Sequence, residues 1–352
     1  MRRLKTVVIS SLMVVALLVS TLVSGCGAKL SASDSVATIG DKKLNYGVYN
    51  IAIRMSQATY DSYRYLFGND LWSQDIQGNG SILSDNVKDN ALEQFHTMMV
   101  MDAHKDEYGV NITDEDIQKI NASAKAFVEK NKDAINSYIT TTEADVAEYL
   151  RLYTVYSRLM AAIKSKSGAT VSTEEAAMRT VSYATINYAN KTTDSGETVA
   201  MTEEEKSAAK AKAEEILAAA QEGGDFESLV KDAGYNVAST SYDSTGSGVA
   251  EEIKKAADVL EEGEYSAVVE SENYLYIIKL DKEFDEKATE SNKETLLEKK
   301  ETEYFNSVIE PWKKEVEVKK NDSIWSKIEF NRQLSIVTES TASSTSASTS
   351  NQ

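Results

Sequence analysis

The first half of the chain carries apolar residues at helical spacing. Between residues 44 and 163, Leu, Ile, Met and Tyr recur every three or four positions, as on helices that bury one face. Residues that can begin a helix stand before each stripe: Asn45, Ser84 or Asp85, Thr113 and Thr142. We therefore predict four helices, a hairpin before them over residues 36–40 and 42–44, and a loop over residues 68–84.

The second half changes its period. Alternation of apolar and polar residues indicates strands, here over residues 181–188, 265–269 and 273–280. Residues 189–201 are polar, and residues 235–248 are rich in Ser, Thr and Gly, so both are predicted as irregular. A short helix is predicted over residues 251–259. Strands and helices in this mixed order predict an α+β unit with a small antiparallel sheet.

A pair of helices is predicted between the first two of these strands. Thr202 and Glu205 have the spacing of a capping box, so a helix should begin there. Gly223 and Gly224 should end it, because the position after a helix favours a positive φ. Asp225 can then cap a second, short helix. By its local pattern this is an ordinary helical hairpin.

Helical spacing returns over residues 282–314. Pro311 should kink or restart that helix, because proline removes a backbone hydrogen bond. Residues 316–318 are a predicted short strand. We expect residues 286–314 to pack on the helical domain and the strand to pair with the first hairpin. Residues 338–352 have too little apolar surface to fold and are predicted to be disordered.

The first 26 residues have the composition of an export signal. Arg2, Arg3 and Lys5 precede an apolar stretch over residues 6–23, and small residues lead to Cys26. This segment resembles a bacterial lipoprotein signal, which implies that Cys26 is the mature amino terminus and carries lipid. An uncleaved membrane helix is the alternative. Cys26 is the only cysteine, which excludes an intrachain disulfide and a catalytic thiol.

The charge of the chain restricts its partners. The formal net charge is −18, and removal of residues 1–25 takes away three basic and no acidic side chains, leaving −21. Such a surface argues against nucleic acid and is compatible with basic or cationic client polypeptides. Cofactors and metals are not expected: His96 and His104 are the only histidines, and no third ligand stands at metal spacing. Core packing is the common role of a tyrosine-rich run such as residues 46–65, and a client-binding crevice is the alternative.

Short motifs of the second half resemble a parvulin-type peptidyl-prolyl isomerase domain. They are residues 223–229 (GGDFESL), 257–266 (ADVLEEGEYS) and 274–280 (YLYIIKL). In the first half, residues 36–44 and 108–116 resemble the chaperone-like helical domain of PrsA/SurA-like foldase lipoproteins. The resemblance covers roughly residues 34–320 and depends on the order and spacing of the motifs. It implies an inserted isomerase domain, exposed outside the cytoplasm of a Gram-positive bacterium by a lipid anchor.

The chain departs from the family where the isomerase site lies. The family has histidine in its first and last strands, whereas this chain has Thr185 and Tyr276. The glycine turn is reduced to residues 244–248, and the residue that helps line the proline pocket falls near Ile253. Threonine and tyrosine can hydrogen bond but do not titrate near pH 7 as histidine does. Thr185, Ile253 and Tyr276 are thus candidate groove positions, and no residue is assigned as catalytic.

The chemistry implied by the resemblance needs neither nucleophile nor metal. Rotation about an X–Pro bond crosses a barrier of about 18–20 kcal/mol, which an enzyme lowers by binding the twisted amide more tightly than the planar one. We therefore predict a membrane-anchored, extracytoplasmic folding factor of the isomerase family that assists secreted proteins. One alternative is a non-catalytic holdase chaperone that has kept the parvulin fold. The other is a solute-binding lipoprotein, which should show repeated βαβ units.

The sequence predicts an α+β fold with a helical chaperone-like domain and an inserted parvulin-like domain. Unfolded secreted polypeptides are the expected partners, and the oligomeric state is left open, a dimer being one option. The expected segments are a signal peptide (residues 1–25), a tether (26–34), the helical domain (35–170), the parvulin-like domain (177–285), a returning helix and strand (286–320) and the disordered tail (338–352).

Overall fold

The computed structural model describes residues 30–193 and 195–337. The predicted signal peptide, Cys26 and the predicted disordered tail lie outside the described residues, as do residues 26–29 of the tether. The described residues form two compact units. The helical unit comprises residues 30–167 and 303–337, and the inserted unit comprises residues 168–193 and 195–302.

Helices dominate both units. They are α1 (Tyr46–Asp61), α2 (Arg64–Phe67), α3 (Leu83–His104), α4 (Asp114–Lys130), α5 (Lys132–Ser137), α6 (Glu143–Lys164), α7 (Thr173–Ala176), α8 (Glu203–Gln221), α9 (Phe226–Asp232), α10 (Glu251–Ala257), α11 (Glu286–Glu315) and α12 (Asp322–Trp325). The strands are β1 (Ser35–Ile39), β2 (Lys42–Asn45), β3 (Arg179–Asn187), β4 (Asn190–Thr192), β5 (Thr198–Ala200), β6 (Val237–Tyr242), β7 (Val269–Glu270), β8 (Tyr274–Lys282) and β9 (Val318–Lys320).

The helical unit follows its predicted stripes. Capping boxes at Thr113 and Thr142 begin α4 and α6, as their positions in the sequence predict. Two other helix starts differ: Asn45 precedes α1 without a side-chain cap, and α3 begins at Leu83, before the predicted Ser84 or Asp85. The four predicted helices are α1, α3, α4 and α6. The first was predicted to run to the loop at residue 68, but it ends at Asp61 and the short α2 follows it, and the short α5 was not predicted.

A three-stranded sheet joins the two ends of the helical unit. Its order is β2-β1-β9, with β9 antiparallel to β1 and Ile39 opposite Val318. The predicted return of a carboxyl-terminal strand to the first hairpin is therefore confirmed. The strand covers residues 318–320 instead of 316–318, because only these residues pair with β1.

Helix α11 spans the boundary between the units. From Glu303 onward it belongs to the helical unit, where Phe305 and Ile309 are buried against residues of α3 and α6. Its earlier residues belong to the inserted unit, where Asn292 donates to the Ala176 carbonyl at 3.1 Å. The expected packing of residues 286–314 on the helical domain is therefore wrong for the residues before 303. Pro311 lies within the helix, contrary to the predicted restart. Its neighbours are held in the core, and proline removes only one backbone hydrogen bond, near the end of the helix.

The inserted unit is built on an antiparallel sheet with the order β6-β3-β8-β7. One face packs on α8 and α9 and the other on α10. The capping box at Thr202, the cap at Asp225 and the positive φ of Gly223 are confirmed. All described strand pairs are antiparallel, so the described residues contain no βαβ unit of the kind expected of a solute-binding protein.

Three segments of this unit differ from the sequence prediction. Residues 189–201 contain the hairpin of β4 and β5, and residues 235–248 contain β6, which pairs with β3 over six positions. The predicted strand over residues 265–269 is reduced to a bridge at Tyr265 and the two residues of β7. Backbone pairing explains the two missed strand segments: a polar edge strand needs a partner and little apolar surface of its own.

Candidate functional site: one face of the inserted sheet

The two positions that replace the family histidines face each other across the sheet. Strands β3 and β8 are antiparallel, and their register places Thr185 directly opposite Tyr276. Side chains at directly opposed positions have Cβ atoms about 4.5–5.5 Å apart. Both residues are half-buried. The structure therefore brings together two candidates that are 91 positions apart in the sequence.

The third candidate lies beneath the same face. Ile253 of α10 is only 2% exposed and belongs to a buried cluster with Val181 of β3 and Ile278 of β8. Tyr276 packs against the edge of that cluster. Ile253 thus supports the face from within, and a ligand on the surface would contact the side chains above it.

Two further tyrosines complete this face, and the sequence reading did not single them out. The Tyr183 ring lies edge-on to Tyr276 with 6.4 Å between centroids, and the Tyr274 ring lies 6.3 Å from Tyr276. Tyr274 is 40% exposed. Within the described part of the chain, the hydroxyls of Tyr183, Tyr276 and Thr185 have no hydrogen-bond partner. The period of two in a strand could have found both residues, because each lies two positions from a candidate. We call Tyr183, Thr185, Tyr274 and Tyr276 the tyrosine face.

In the same unit, α10 and the preceding loop line a cleft. The cleft has a volume of about 510 Å³ and is lined by Thr245, Gly246, Val249, Glu251, Lys254, Lys255 and Asp258. Asp258 pairs with Lys254 and accepts a hydrogen bond from Tyr242 at 3.1 Å. Burial and this carboxylate raise the pKa of Tyr242 to about 12, so its hydroxyl remains a donor at physiological pH. The two lysines of the cleft are paired with carboxylates, so it offers no unpaired cation to an anion.

A carboxylate outside the family's turn motif shapes the loop. Asp243 accepts backbone hydrogen bonds from Thr245 at 2.9 Å and Ser247 at 3.3 Å. Burial opposes ionisation of Asp243, but these hydrogen bonds outweigh it and hold its pKa below the ordinary value. The reduced turn therefore keeps a defined shape, anchored by the residue before it.

The histidines have structural surroundings. The His104 ring stacks on Trp312 at 4.1 Å and its Nδ1 lies 2.6 Å from Glu107. His96 is 9% exposed, and its Nδ1 lies 3.8 Å from Glu93. Throughout residues 30–193 and 195–337, no three His, Cys, Asp or Glu side chains are placed to hold a metal ion.

The tyrosine-rich run of the helical unit divides into two parts. Its first part is core, with Tyr46 and Tyr49 at 4% and 0% exposure. Beyond α1 the apolar side chains turn to solvent: Tyr63 is 50% exposed, Tyr65 80%, Leu66 61% and Phe67 41%. We call residues 63–67 the apolar patch. Contiguous exposed apolar surface of this kind marks interaction sites in soluble domains.

Two family matches cover most of the described chain. Residues 1–140 match the SurA-like N-terminal domain, and residues 187–294 match the PPIC-type PPIase domain. A comparison with curated proteins finds no match. Among the described residues, no helix combines the length and apolar character that crossing a membrane requires.

Three solved structures of foldases and chaperones are 8–20% identical to this chain. Foldase protein PrsA of Streptococcus pneumoniae is 20% identical, with 68% of this chain and 92% of that chain covered and a TM-score of 0.30. The peptidylprolyl isomerase PrsA of Bacillus cereus is 19% identical, with 85% and 94% covered and a TM-score of 0.29. A SurA-like chaperone structure from Campylobacter jejuni is 8% identical, with 82% and 99% covered and a TM-score of 0.27.

The assignment of the two domains rests on these two family matches. They agree with the α+β architecture and with the helical and sheet-containing units described above. A SurA-like domain and a PPIC-type domain in one chain are the parts of a protein-folding factor. The chain therefore combines a SurA-like N-terminal domain with a PPIC-type, parvulin-type isomerase domain, the domain pair of PrsA/SurA-like foldases.

Proposed function

We propose that this folding factor binds unfolded secreted polypeptides through the helical unit, outside the cytoplasm. The observation that carries the proposal is the apolar patch, where four large side chains are 41–80% exposed. Unfolded chains expose apolar side chains, which such a surface covers without selecting a sequence. The acidic net charge of −18 adds attraction for basic clients and keeps the loaded complex soluble.

Replacing the patch is expected to weaken binding. The triple substitution Tyr65→Ser, Leu66→Ser and Phe67→Ser removes apolar contact area, and a loss of about 1.4 kcal/mol of binding free energy already lowers affinity tenfold. We expect at least a tenfold higher concentration to be needed to suppress aggregation of a reduced, unfolded secreted protein. Val259→Ser is the matched control, because Val259 is an 81% exposed apolar residue of the other unit. Equal activity of the triple variant and the control would contradict the proposal.

The tyrosine face supports a second activity, isomerase catalysis. It combines apolar rings with the hydroxyls of Thr185 and Tyr276, which are free to donate to a twisted amide. It lacks the histidine pair of the resembled family, so catalysis at this face is a proposal separate from client binding. If the face binds peptide without catalysis, the protein is a non-catalytic holdase chaperone.

A proline-peptide isomerisation assay separates these outcomes. We expect the unmodified protein to show a low rate that is still above background, and Thr185→His with Tyr276→His to raise it about 100-fold, the lower range of the effect of one positioned hydrogen-bond donor on a transition state. Thr198→His with Val199→His is the matched control, because it adds two histidines to β5, away from this face. A high rate in the unmodified protein would show that the hydroxyls suffice. No gain in the double variant would show that the pocket itself is lost.

The lipid anchor is part of the proposal and depends on Cys26. The segment before it resembles a lipoprotein signal, and Cys26 is the only thiol available for lipid. Cys26→Ser is expected to move the protein from the membrane fraction to the medium of an expressing Gram-positive cell. Recovery of the variant in the membrane fraction, uncleaved, would instead identify residues 6–23 as a membrane helix.

A further inference from the structure

The last described residues of the helical unit form an extended segment with alternating burial. Residues 327–337, here called the strap, follow α12 without forming a helix. Four apolar side chains at even positions are 2–8% exposed: Ile328, Phe330, Leu334 and Ile336. The side chains between them point to solvent or are half-buried. This period of two is that of a strand, interrupted at Arg332, where the side chain is exposed and the backbone bends.

Side chains of α1 hydrogen bond to the backbone of the strap. Arg54 donates to the Glu329 carbonyl at 2.8 Å, and Gln57 donates to the Arg332 carbonyl at 2.6 Å. The Leu334 amide donates to the Asp61 carboxylate at 2.8 Å. Positions 54, 57 and 61 lie on one face of a helix because they are three and four residues apart. One face of α1 therefore hydrogen bonds to three backbone groups of the strap.

Two more side chains continue this pattern. The Asn131 side chain donates to the Val337 carbonyl at 2.9 Å and accepts from the Val337 amide at 2.8 Å. The Tyr138 hydroxyl donates to the Glu329 carbonyl at 3.0 Å. Contacts to backbone atoms do not depend on the residue type of the bound segment, as in other modes of extended-peptide recognition. Together with α1, these residues form what we call the backbone groove.

Pockets between the polar contacts receive the even-numbered side chains. Phe330 stacks on Trp72 with 4.4 Å between centroids. Leu334 and Ile336 pack with Ala58 and Ile139. The groove thus fits an extended segment with apolar residues at alternate positions, the pattern of a segment that forms a half-buried strand once its protein has folded.

The groove cannot stay empty without cost. With the strap in place, Arg54, Gln57, Asp61 and Asn131 are each 4% exposed or less, so withdrawal of the strap costs each of them a hydrogen-bond partner and exposes the apolar pockets to water. Asp61 also accepts from Arg64, in the apolar patch, and from Trp72. The end of the groove therefore continues into the patch at which we propose that clients bind.

We infer that the backbone groove accepts an extended client segment with alternating apolar residues, and that the strap is its resident competitor in the same molecule. The inference rests on the proposed client binding. A client first held at the apolar patch exchanges with the strap by offering the same backbone groups and apolar side chains. The polar side chains of the groove are therefore hydrogen bonded whether the strap or a client segment occupies it.

Hydrogen exchange in the full chain tests this exchange. The probe is a synthetic peptide with the sequence of residues 326–337, and the control peptide has its apolar residues moved to the other alternate positions. The amides of Leu334 and Val337 report the strap, because each donates to a groove side chain. We expect the probe at saturation to raise their exchange rates about tenfold, and the control peptide to leave them unchanged. Unchanged rates with bound probe would overturn the inference.

Two substitutions with different expected effects distinguish competition from general loosening. Leu334→Ala weakens the competitor and should tighten probe binding about tenfold, since apparent affinity scales with the fraction of open groove. Asn131→Ala removes the same two contacts from the strap and from the probe, so the two losses offset each other and probe affinity should change little. Gln333→Ala is the control, because Gln333 is exposed on the strap. Equal shifts in the same direction would overturn the inference. Retained suppression of aggregation in that case would leave the proposed client binding intact.

Discussion

Phe95→Ala is expected to lower the free energy of unfolding of the helical unit by about 3–5 kcal/mol, the usual cost of removing a buried phenylalanine. Phe95 is 0% exposed and lies between two aromatic rings, Tyr49 at 5.9 Å and Tyr149 at 6.0 Å. These rings belong to α1 and α6, so the cavity would open where three helices meet. The Tyr49 hydroxyl, which donates to the Lys88 carbonyl at 2.6 Å, would lose packing on one side.

Urea unfolding followed by tryptophan fluorescence measures this change. The three tryptophans, Trp72, Trp312 and Trp325, all lie in the helical unit, so their signal follows that unit alone. Phe67→Ala is the matched control, because it makes the same substitution at a 41% exposed residue and should change stability by less than about 0.5 kcal/mol. A similar loss in both variants would contradict the assignment of Phe95 to the core.

Arg54→Met is expected to destabilise the same unit by about 3 kcal/mol. Two effects oppose each other. Methionine removes the cost of burying a guanidinium that is only 3% exposed. It also removes the donor to the Asn50 side chain at 2.9 Å, to the Gln57 side chain at 2.6 Å and to the Glu329 carbonyl at 2.8 Å. Each buried acceptor left unpaired costs about 1–3 kcal/mol, so the loss of partners should prevail.

The control for Arg54 is a second arginine that contacts the same ring. Arg54 lies 4.4 Å from the centroid of Tyr138 and Arg332 lies 5.6 Å from it, but Arg332 is exposed. Arg332→Met should therefore change the urea midpoint little, since the Gln57 contact uses the Arg332 backbone. A midpoint of Arg54→Met equal to that of the unmodified protein would contradict the prediction, because the desolvation cost of the guanidinium would then balance its hydrogen bonds.

Local signals in the sequence were sufficient for three of the helix starts and for the central strands. The capping boxes at Thr113, Thr142 and Thr202 each form as their spacing predicts, because all partners lie within four residues. The strands β3 and β8 carry enough alternating apolar residues to be recognised alone. Their resemblance to a parvulin-type domain also named Thr185 and Tyr276, which the register then placed opposite each other.

Elements whose stability comes from a distant partner were missed. Strand β6 has only Tyr242 buried and is formed by pairing with β3, so its Ser- and Thr-rich sequence gives no sign of it. Tyr183 and Tyr274 lie two positions from Thr185 and Tyr276, but only the sheet register showed that all four share one patch. Pro311 was predicted to interrupt α11, but tertiary contacts of Phe305 and Ile309 hold the helix across it.

The sequence by itself determined the α+β class, the main helices and strands, and the loss of the histidine pair from the isomerase face, since each depends on residue type and local spacing. The tertiary structure alone decided that residues 327–337 are an ordered strap. Their alternation of apolar residues is visible in the sequence, but its partner is the polar face of α1, and Arg54 and Glu329 are 275 positions apart. The role of buried polar groups on a helix can be recognised only when the backbone groups that hydrogen bond to them are known.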